Sequence, residues 1–406
     1  MNRCIRFFCA VLSLLLLTTA CAASEPISPQ IVEPPVSEDT PEEIQPTPVP
    51  DQGPSASPDP VPEPIRIRIT AAGDNLLHNT LSIDSRLDDG SYDFFHLYEH
   101  IAPIIEGSDI AFINQEVMLT GEVSAYPNLA APDEAADALI KAGFNVINLA
   151  TNHSLDKGVK GLEACLENVR QRNFEAVLGA FCSEEEASAL CILEKQGIRF
   201  GFLSYTYGLN GYSLPKDKSY MIALADEVKI AEDMEAIRPL CDYLIVSMHW
   251  GNEYQLTASS YQVDLAQMLC DHGADLIIGT HPHVLEPVEW YDSDEGNRTL
   301  CVYSLGNFIS GQHKLSTMLG GILDLRLTFD PMTHQLLSID SAGVIPTVTH
   351  YRNKGGYCVY PLQDYTKELA AEHGIKNHDK PMTLDYLNDL AEQVLGDFTA
   401  KWEPDK

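Results

Sequence analysis

Apolar residues fall along this chain in short runs that stop at polar residues. Ile65, Ile67 and Ile69 alternate with Arg66, Arg68 and Thr70, the period-two pattern of a strand, and the run ends at Gly73-Asp74. Ile110–Asn114 leads into Glu116, Val146–Ala150 into Asn152-His153, Leu244–Met248 into His249, and Leu276–Ile278 into His281. Stretches of helical period fall between these runs, at 132–142, 158–172, 225–238 and 259–272. Strand alternating with helix predicts a layered α/β fold, and in such folds ligands gather at strand ends. Here five strand ends present Asp, Glu, Asn-His, His and His. Further strands are predicted at Thr299–Tyr303, Ile322–Phe329 and Gln335–Ile345, and helices at Tyr365–His373 and Leu384–Trp402. No internal repeat is visible.

The N-terminus reads differently. Arg3 and Arg6 precede an apolar run, Phe7 to Leu17, that is short for a membrane span. Thr18, Thr19, Ala20 and Cys21 follow, so residues 1–20 read as a secretory signal and Cys21 as a lipidation site of a bacterial lipoprotein. The alternative is ordinary signal cleavage beside a chance cysteine. Residues 22–64 are rich in Pro, Glu, Asp, Ser and Thr, with no aromatic residue. Such a segment buries too little apolar surface to fold and is expected to be an extended, disordered tether. The domain would then stand at the extracellular face of the cell membrane, lipid-anchored. The expected divisions are a signal at 1–20, Cys21 and linker at 21–64, a catalytic-type domain at 65–350, and a C-terminal helical extension at 351–406.

Composition narrows the partners. The 406 residues carry a formal charge of −33, which disfavours nucleic acid as a partner. Ten cysteines are present, of which Cys4 and Cys9 fall in the signal and Cys21 is the anchor. The remaining seven show no CxxC spacing, so neither a disulfide framework nor a zinc knot is indicated.

The strand ends carry the chemistry. Asp74, Glu116, Asn152, His249, His281 and His283 combine carboxylate, amide and imidazole donors, a set suited to borderline divalent metals. Any one of these histidines alone reads as a surface or core residue; their convergence at strand ends is what points to metal. A carboxylate such as Glu116 between two cations can bridge them, and two metals about 3.5–4 Å apart activate a water and stabilise a phosphoryl oxygen.

Six segments in order carry a resemblance: Gly73-Asp74-Asn75, Asn114-Gln115-Glu116, Asn148 to Gly158, His249 to Tyr254, Gly279 to Val284, and Tyr303 to Phe308. They resemble the CapA-type poly-γ-glutamate capsule synthesis proteins, the PGA_cap family, which is similar to the calcineurin-like metallophosphatases. The resemblance covers about residues 65–348. It implies a metallophosphatase-like β-sandwich flanked by helices, α/β/β/α, with two divalent ions (Mn, Zn or Fe). Asp74 and His283 would bind one ion, Asn152, His249 and His281 the other, with Glu116 bridging. His153 would protonate a leaving group or steady the phosphoryl oxygen, or else orient Asn152. Asp156 would fix the tautomer of His153, or cap the helix starting near Gly158. Asn75, Glu253 and Asn307 are candidate substrate or ligand-supporting residues, and Trp250 and Tyr254 line the cleft or pack.

One departure matters. Metallophosphatases usually carry Asp-x-His in the first motif, where this chain has Leu76, so the first metal position relies on water or His78. The expected function is capsule polymer synthesis or export at the cell surface, with hydrolysis of a phosphoester or amide. The competing reading is a non-catalytic metal-binding subunit of a polymer synthase or export complex. A substrate-binding lipoprotein is the third.

Overall fold

The computed structural model describes residues 62–353 and 355–404. The expected signal, Cys21 and nearly all of the tether lie outside these residues. In chain order the strands are β1 (Ile65–Leu76), β2 (Ile110–Gln115), β3 (Met118–Leu119), β4 (Ala130–Ala131), β5 (Val146–Asn148), β6 (Ala176–Leu178), β7 (Cys191–Lys195), β8 (Ile198–Thr206), β9 (Tyr243–His249), β10 (Leu276–Thr280), β11 (Val288–Asp292), β12 (Arg298–Val302), β13 (Asn307–Ser310), β14 (Leu319–Phe329), β15 (Leu336–Arg352) and β16 (Gly355–Pro361). The helices are α1 (Asn79–Asp84), α2 (Ala102–Ile105), α3 (Glu134–Lys141), α4 (Gly158–Arg170), α5 (Glu184–Ala187), α6 (Glu227–Ile237), α7 (Ser260–Asp271), α8 (Lys367–Glu372) and α9 (Leu384–Leu395).

Two sheets form the body. One runs β16-β15-β14-β1-β2-β5-β6 with β13 paired to the end of β1, and the other runs β11-β12-β10-β9-β8-β7. Strand β9 shows why they stack. All seven of its residues are buried, and successive side chains serve different cores. Tyr243 and Ile245 enter the large core shared by both sheets. Leu244, Val246 and Met248 join Ile230 and Met234 of α6 and Leu265 and Leu269 of α7 in a second core on the outer face. The apolar faces of α3 and α4 close on the large core through Leu139, Leu162, Leu166 and Val169. The layered α/β arrangement expected from alternating strands and helices is present.

The parallel centre of each sheet is what delivers the strand ends. Strand β1 pairs parallel with β2, and β2 with β5, so Asp74, Glu116 and Asn152 leave the first sheet at one edge. Strand β9 pairs parallel with β8 and β10, which sets His249 opposite Thr280.

Two glycines allow the ends to close. A Cβ on Gly73 would sit 2.0 Å from the Gly306 carbonyl oxygen, and one on Gly279 would sit 2.0 Å from that of Tyr303. Both obstacles are backbone and cannot rotate away. Gly279→Ala is therefore expected to cost at least about 2 kcal/mol in urea unfolding, whereas Gly208→Ala, with open space around it, stays within about 0.5 kcal/mol.

The C-terminal stretch differs from the expected helical extension. Strand β15 continues through Pro346, which lies opposite Gly321, to Arg352, and residues 355–361 add β16 as the edge of the first sheet. The helix expected over Leu384–Trp402 stops at Leu395, because Gly396 takes a left-handed φ of 51° and ends it. Ala400 returns to β15 through a backbone hydrogen bond to the Val344 carbonyl, 2.9 Å. Strand pairing and that return make this stretch part of the folded body.

Candidate metal centre

Asp74 is fixed before any ligand arrives. It is buried at the end of β1, where Asn114 Nδ2 donates to its Oδ1 at 2.9 Å and the His281 N–H reaches both oxygens at 3.2 and 3.3 Å. His283 Nδ1 lies 3.1 Å from its Oδ2. Glu116, just past β2, is equally buried, yet neither carboxylate oxygen has a hydrogen-bond partner. Three imidazoles face it instead: Nε2 of His283 at 3.8 Å, of His249 at 3.9 Å and of His153 at 4.0 Å from Oε1. An ionised buried carboxylate left in that state is costly, and a cation between it and the rings would satisfy it.

The two histidines around Pro282 are held in uncommon backbone. His281 has φ 100° and His283 has φ 61°, and Tyr254, whose N–H donates to the Pro282 carbonyl at 2.8 Å, has φ 67°. Left-handed non-glycine residues cost on the order of 1–3 kcal/mol each and persist at sites that need them. The turn they make lets one ligand atom each from Glu116, His281 and His283 lie within 4.8 Å of one another. His281 Nδ1 is buried without a partner.

On the opposite side Asn152 Oδ1 lies 2.9 Å from His249 Nε2. His249 Nδ1 rests 2.9 Å from Thr280 Oγ1, and Asn152 Nδ2 donates to Asn210 Oδ1 at 3.0 Å. Sequence periodicity did not single out Thr280, Asn210, Asn114 or Asn148 for these roles. Ser204 Oγ donates to Asn148 Oδ1 (2.5 Å), Asn148 Nδ2 to Asn114 Oδ1 (2.7 Å), and Asn114 Nδ2 to Asp74, a buried chain of amides behind the ligands. Ser204 also lines a separate cavity of about 480 Å³ beside β6, β8 and α6.

Burial sets the protonation of the rings. It drives His281 down to about 3 and His249 well below the ordinary imidazole value, with the neighbouring imidazoles adding to both shifts. Both are thus neutral, with a lone pair to offer. For His283 burial also opposes the charge, but Glu116 and Asp74 outweigh it and lift the ring to about 9. Burial, then the Asp74 charge, pushes Glu116 well above the usual carboxylate range. Without a cation the Glu116–His283 pair therefore holds on to at least one proton.

The remaining expected residues divide. His153 Nδ1 lies 2.6 Å from Asp156 Oδ2, which also accepts the Leu129 N–H at 2.7 Å. Asp156 does not cap α4, whose N-cap is Lys157 with no side-chain hydrogen bond. Its carboxylate is already engaged by the ring and by Leu129. Asn75 is buried and engaged in the core: it donates to Gln115 Oε1 (2.6 Å) and accepts from Tyr98 OH (2.9 Å). Asn307, paired in register with Asp74, donates to Gln312 Oε1 at 3.0 Å and leaves Oδ1 buried and unpartnered. Trp250 is core, its indole N–H donating to the Tyr303 carbonyl at 2.9 Å. Glu253 is exposed beside Tyr254. Leu76 is buried apolar core, and His78 Nδ1 lies 3.1 Å from the Leu76 carbonyl oxygen and 3.2 Å from the Gly311 nitrogen.

The donor set of carboxylate, amide and neutral imidazole suits a divalent metal. Among solved structures, the Haemophilus influenzae NAD nucleotidase is similar over 82% of this chain and 60% of its own, at 13% identity and TM-score 0.43. A putative 5′-nucleotidase from Staphylococcus aureus is similar over 70% and 54%, at 13% identity and TM-score 0.47. The PGA biosynthesis protein CapA of Bacillus subtilis is 30% identical over 222 residues, 53% of this chain and 57% of its own length. The capsule biosynthesis protein CapA of Bacillus anthracis is 29% identical over 228 residues, 53% and 54%. The chain thus spans little more than half the length of these relatives. A family model, bacterial capsule synthesis protein PGA_cap, matches residues 68–312, more than half of the chain and every segment that builds the centre. By that match the chain belongs to the PGA_cap family of bacterial capsule synthesis proteins.

Proposed function

We propose that this protein acts at the cell surface in the synthesis or export of a poly-γ-glutamate-like capsule polymer, and that its centre binds two divalent ions (Mn, Zn or Fe) and hydrolyses a phosphoester or amide. The carrying observation is Glu116, a fully buried carboxylate with no hydrogen-bond partner, faced by three imidazoles. Asp74 and His283 would hold one ion, Asn152, His249 and His281 the other, with Glu116 between. Bound ions would supply charge stabilisation and a water of lowered pKa. The protein's own proton carrier is His153. Asp156 takes its Nδ1–H and so leaves Nε2 as the atom that gives or receives a proton. The sequence of residues 1–21 supports export and a lipid anchor at Cys21. The capsule assignment is supported by the family and by the names of the relatives.

A second reading rests on Leu76. Where a metallophosphatase usually places a metal-binding imidazole, this chain has a buried aliphatic side chain. The centre would then serve as a non-catalytic metal-bearing subunit of the polymer machinery. Elemental analysis of the purified protein, with hydrolysis assays on generic phosphoesters and on poly-γ-glutamate, separates the readings. Metal with turnover supports the hydrolase, and metal without turnover the subunit. Absence of metal after Mn, Zn or Fe supplementation sinks both.

A further inference from the structure

The loop between β13 and β14 brings a cation to the centre. Lys314 Nζ stands over the ring of Tyr254, 3.1 Å from its centroid. That ring is 6.0 Å from the ring of His283, and the Tyr254 backbone is tied to Pro282 between the two site histidines. Lys314 is exposed, and among the described residues no carboxylate pairs with it. This is notable in a chain with 59 acidic and 26 basic residues, where a lysine has carboxylates to choose from.

The loop is held at both sides. Gln312 Oε1 accepts from Asn307 Nδ2 at 3.0 Å, and its Nε2 approaches Tyr254 OH at 3.4 Å. From the C-terminal stretch, Asp379 accepts the Leu315 N–H at 2.9 Å, and His378 stacks on His313 at 3.9 Å. The ammonium is thus pre-positioned on rigid support, which lowers the ordering cost of using it.

We infer that Lys314, seated on Tyr254, is the residue by which the centre selects an anionic substrate, pairing with a carboxylate or phosphate group next to the one that reacts. The inference rests on the proposed substrate-processing role of the same centre. It also explains the C-terminal stretch: residues 378 and 379 buttress the loop that carries the lysine.

The test is isothermal titration of the full chain with a γ-glutamate oligomer in one arm and inorganic phosphate in the other, with and without added zinc. Lys314→Met should weaken binding roughly tenfold and flatten its salt dependence, while Lys314→Arg stays within about threefold. Loss on one arm alone supports the inference and identifies the anion. Binding of both anions by Lys314→Met within about twofold of wild type overturns it, as does a wild type that binds neither anion. Zinc content, read separately by elemental analysis and unchanged in Lys314→Met, decides the metal reading independently.

Discussion

Loading the metal-free protein with zinc or manganese near neutral pH is expected to release at least one proton per chain. Metal needs the carboxylate form of Glu116 and the neutral form of His283. Burial and the Asp74 charge push Glu116 well above the usual carboxylate range, and the Glu116 and Asp74 carboxylates lift His283 to about 9, so Glu116 and His283 share at least one proton that a metal must displace. The released proton is read by calorimetry in buffers of differing ionisation enthalpy. No dependence of the apparent heat on the buffer would contradict this account of the site. The same groups set the stability of the metal-free protein. His283 has a folded value raised above its unfolded one, so its stabilisation is complete below about 6.5 and is lost as the pH rises through about 9. By linkage that is roughly 3 kcal/mol between pH 6 and pH 10. Metal at about a thousand times its dissociation constant adds about 4 kcal/mol, so chelation should lower Tm by roughly 8 °C. Replacing Glu116 with Ala should abolish the protection by metal, because the cluster of Glu116, His281 and His283 loses its carboxylate.

The second large effect concerns His153. If its Nε2 transfers a proton during hydrolysis, His153→Ala lowers kcat on the order of 10²–10⁴-fold. KM and metal content should change little, since Asn152 keeps its contacts with His249 and Asn210. Asp156→Asn should give a smaller loss and an altered pH profile, because it leaves the ring but changes its tautomer partner. Equal loss of metal and activity in His153→Ala would move the residue from proton transfer to support of Asn152.

Much of this was legible in the chain because strands announce their ends. The alternation from Ile65 and the apolar runs before Glu116, Asn152, His249 and His281 become β1, β2, β5, β9 and β10, and parallel pairing brings their ends together. Helices at 134–141, 158–170, 227–237 and 260–271 follow from periodicity for the same reason. What stayed hidden has no period. Asn210 reaches Asn152 from an irregular loop with φ 50°, and Asn114 meets His249 across 135 residues. Asp156 reads as a helix cap in a local window, yet its oxygen is taken by His153 and by Leu129, 27 residues away. Strand β16 begins at Gly355, close in sequence to the end of β15 at Arg352, in a stretch whose later helices dominate the local pattern.

The contact between Asp74 and the His281 N–H joins residues 207 apart. Strand β1, which carries Asp74, also has β14 as a neighbour, so its sheet is finished late. A loop that long gains nothing from local order, and its closure waits on the rest of the chain. An incomplete chain emerging from the ribosome or across a membrane therefore lacks this centre until residues beyond His283 have joined. Metal capture would then come last in the life history of the molecule, marking finished copies instead of seeding their folding.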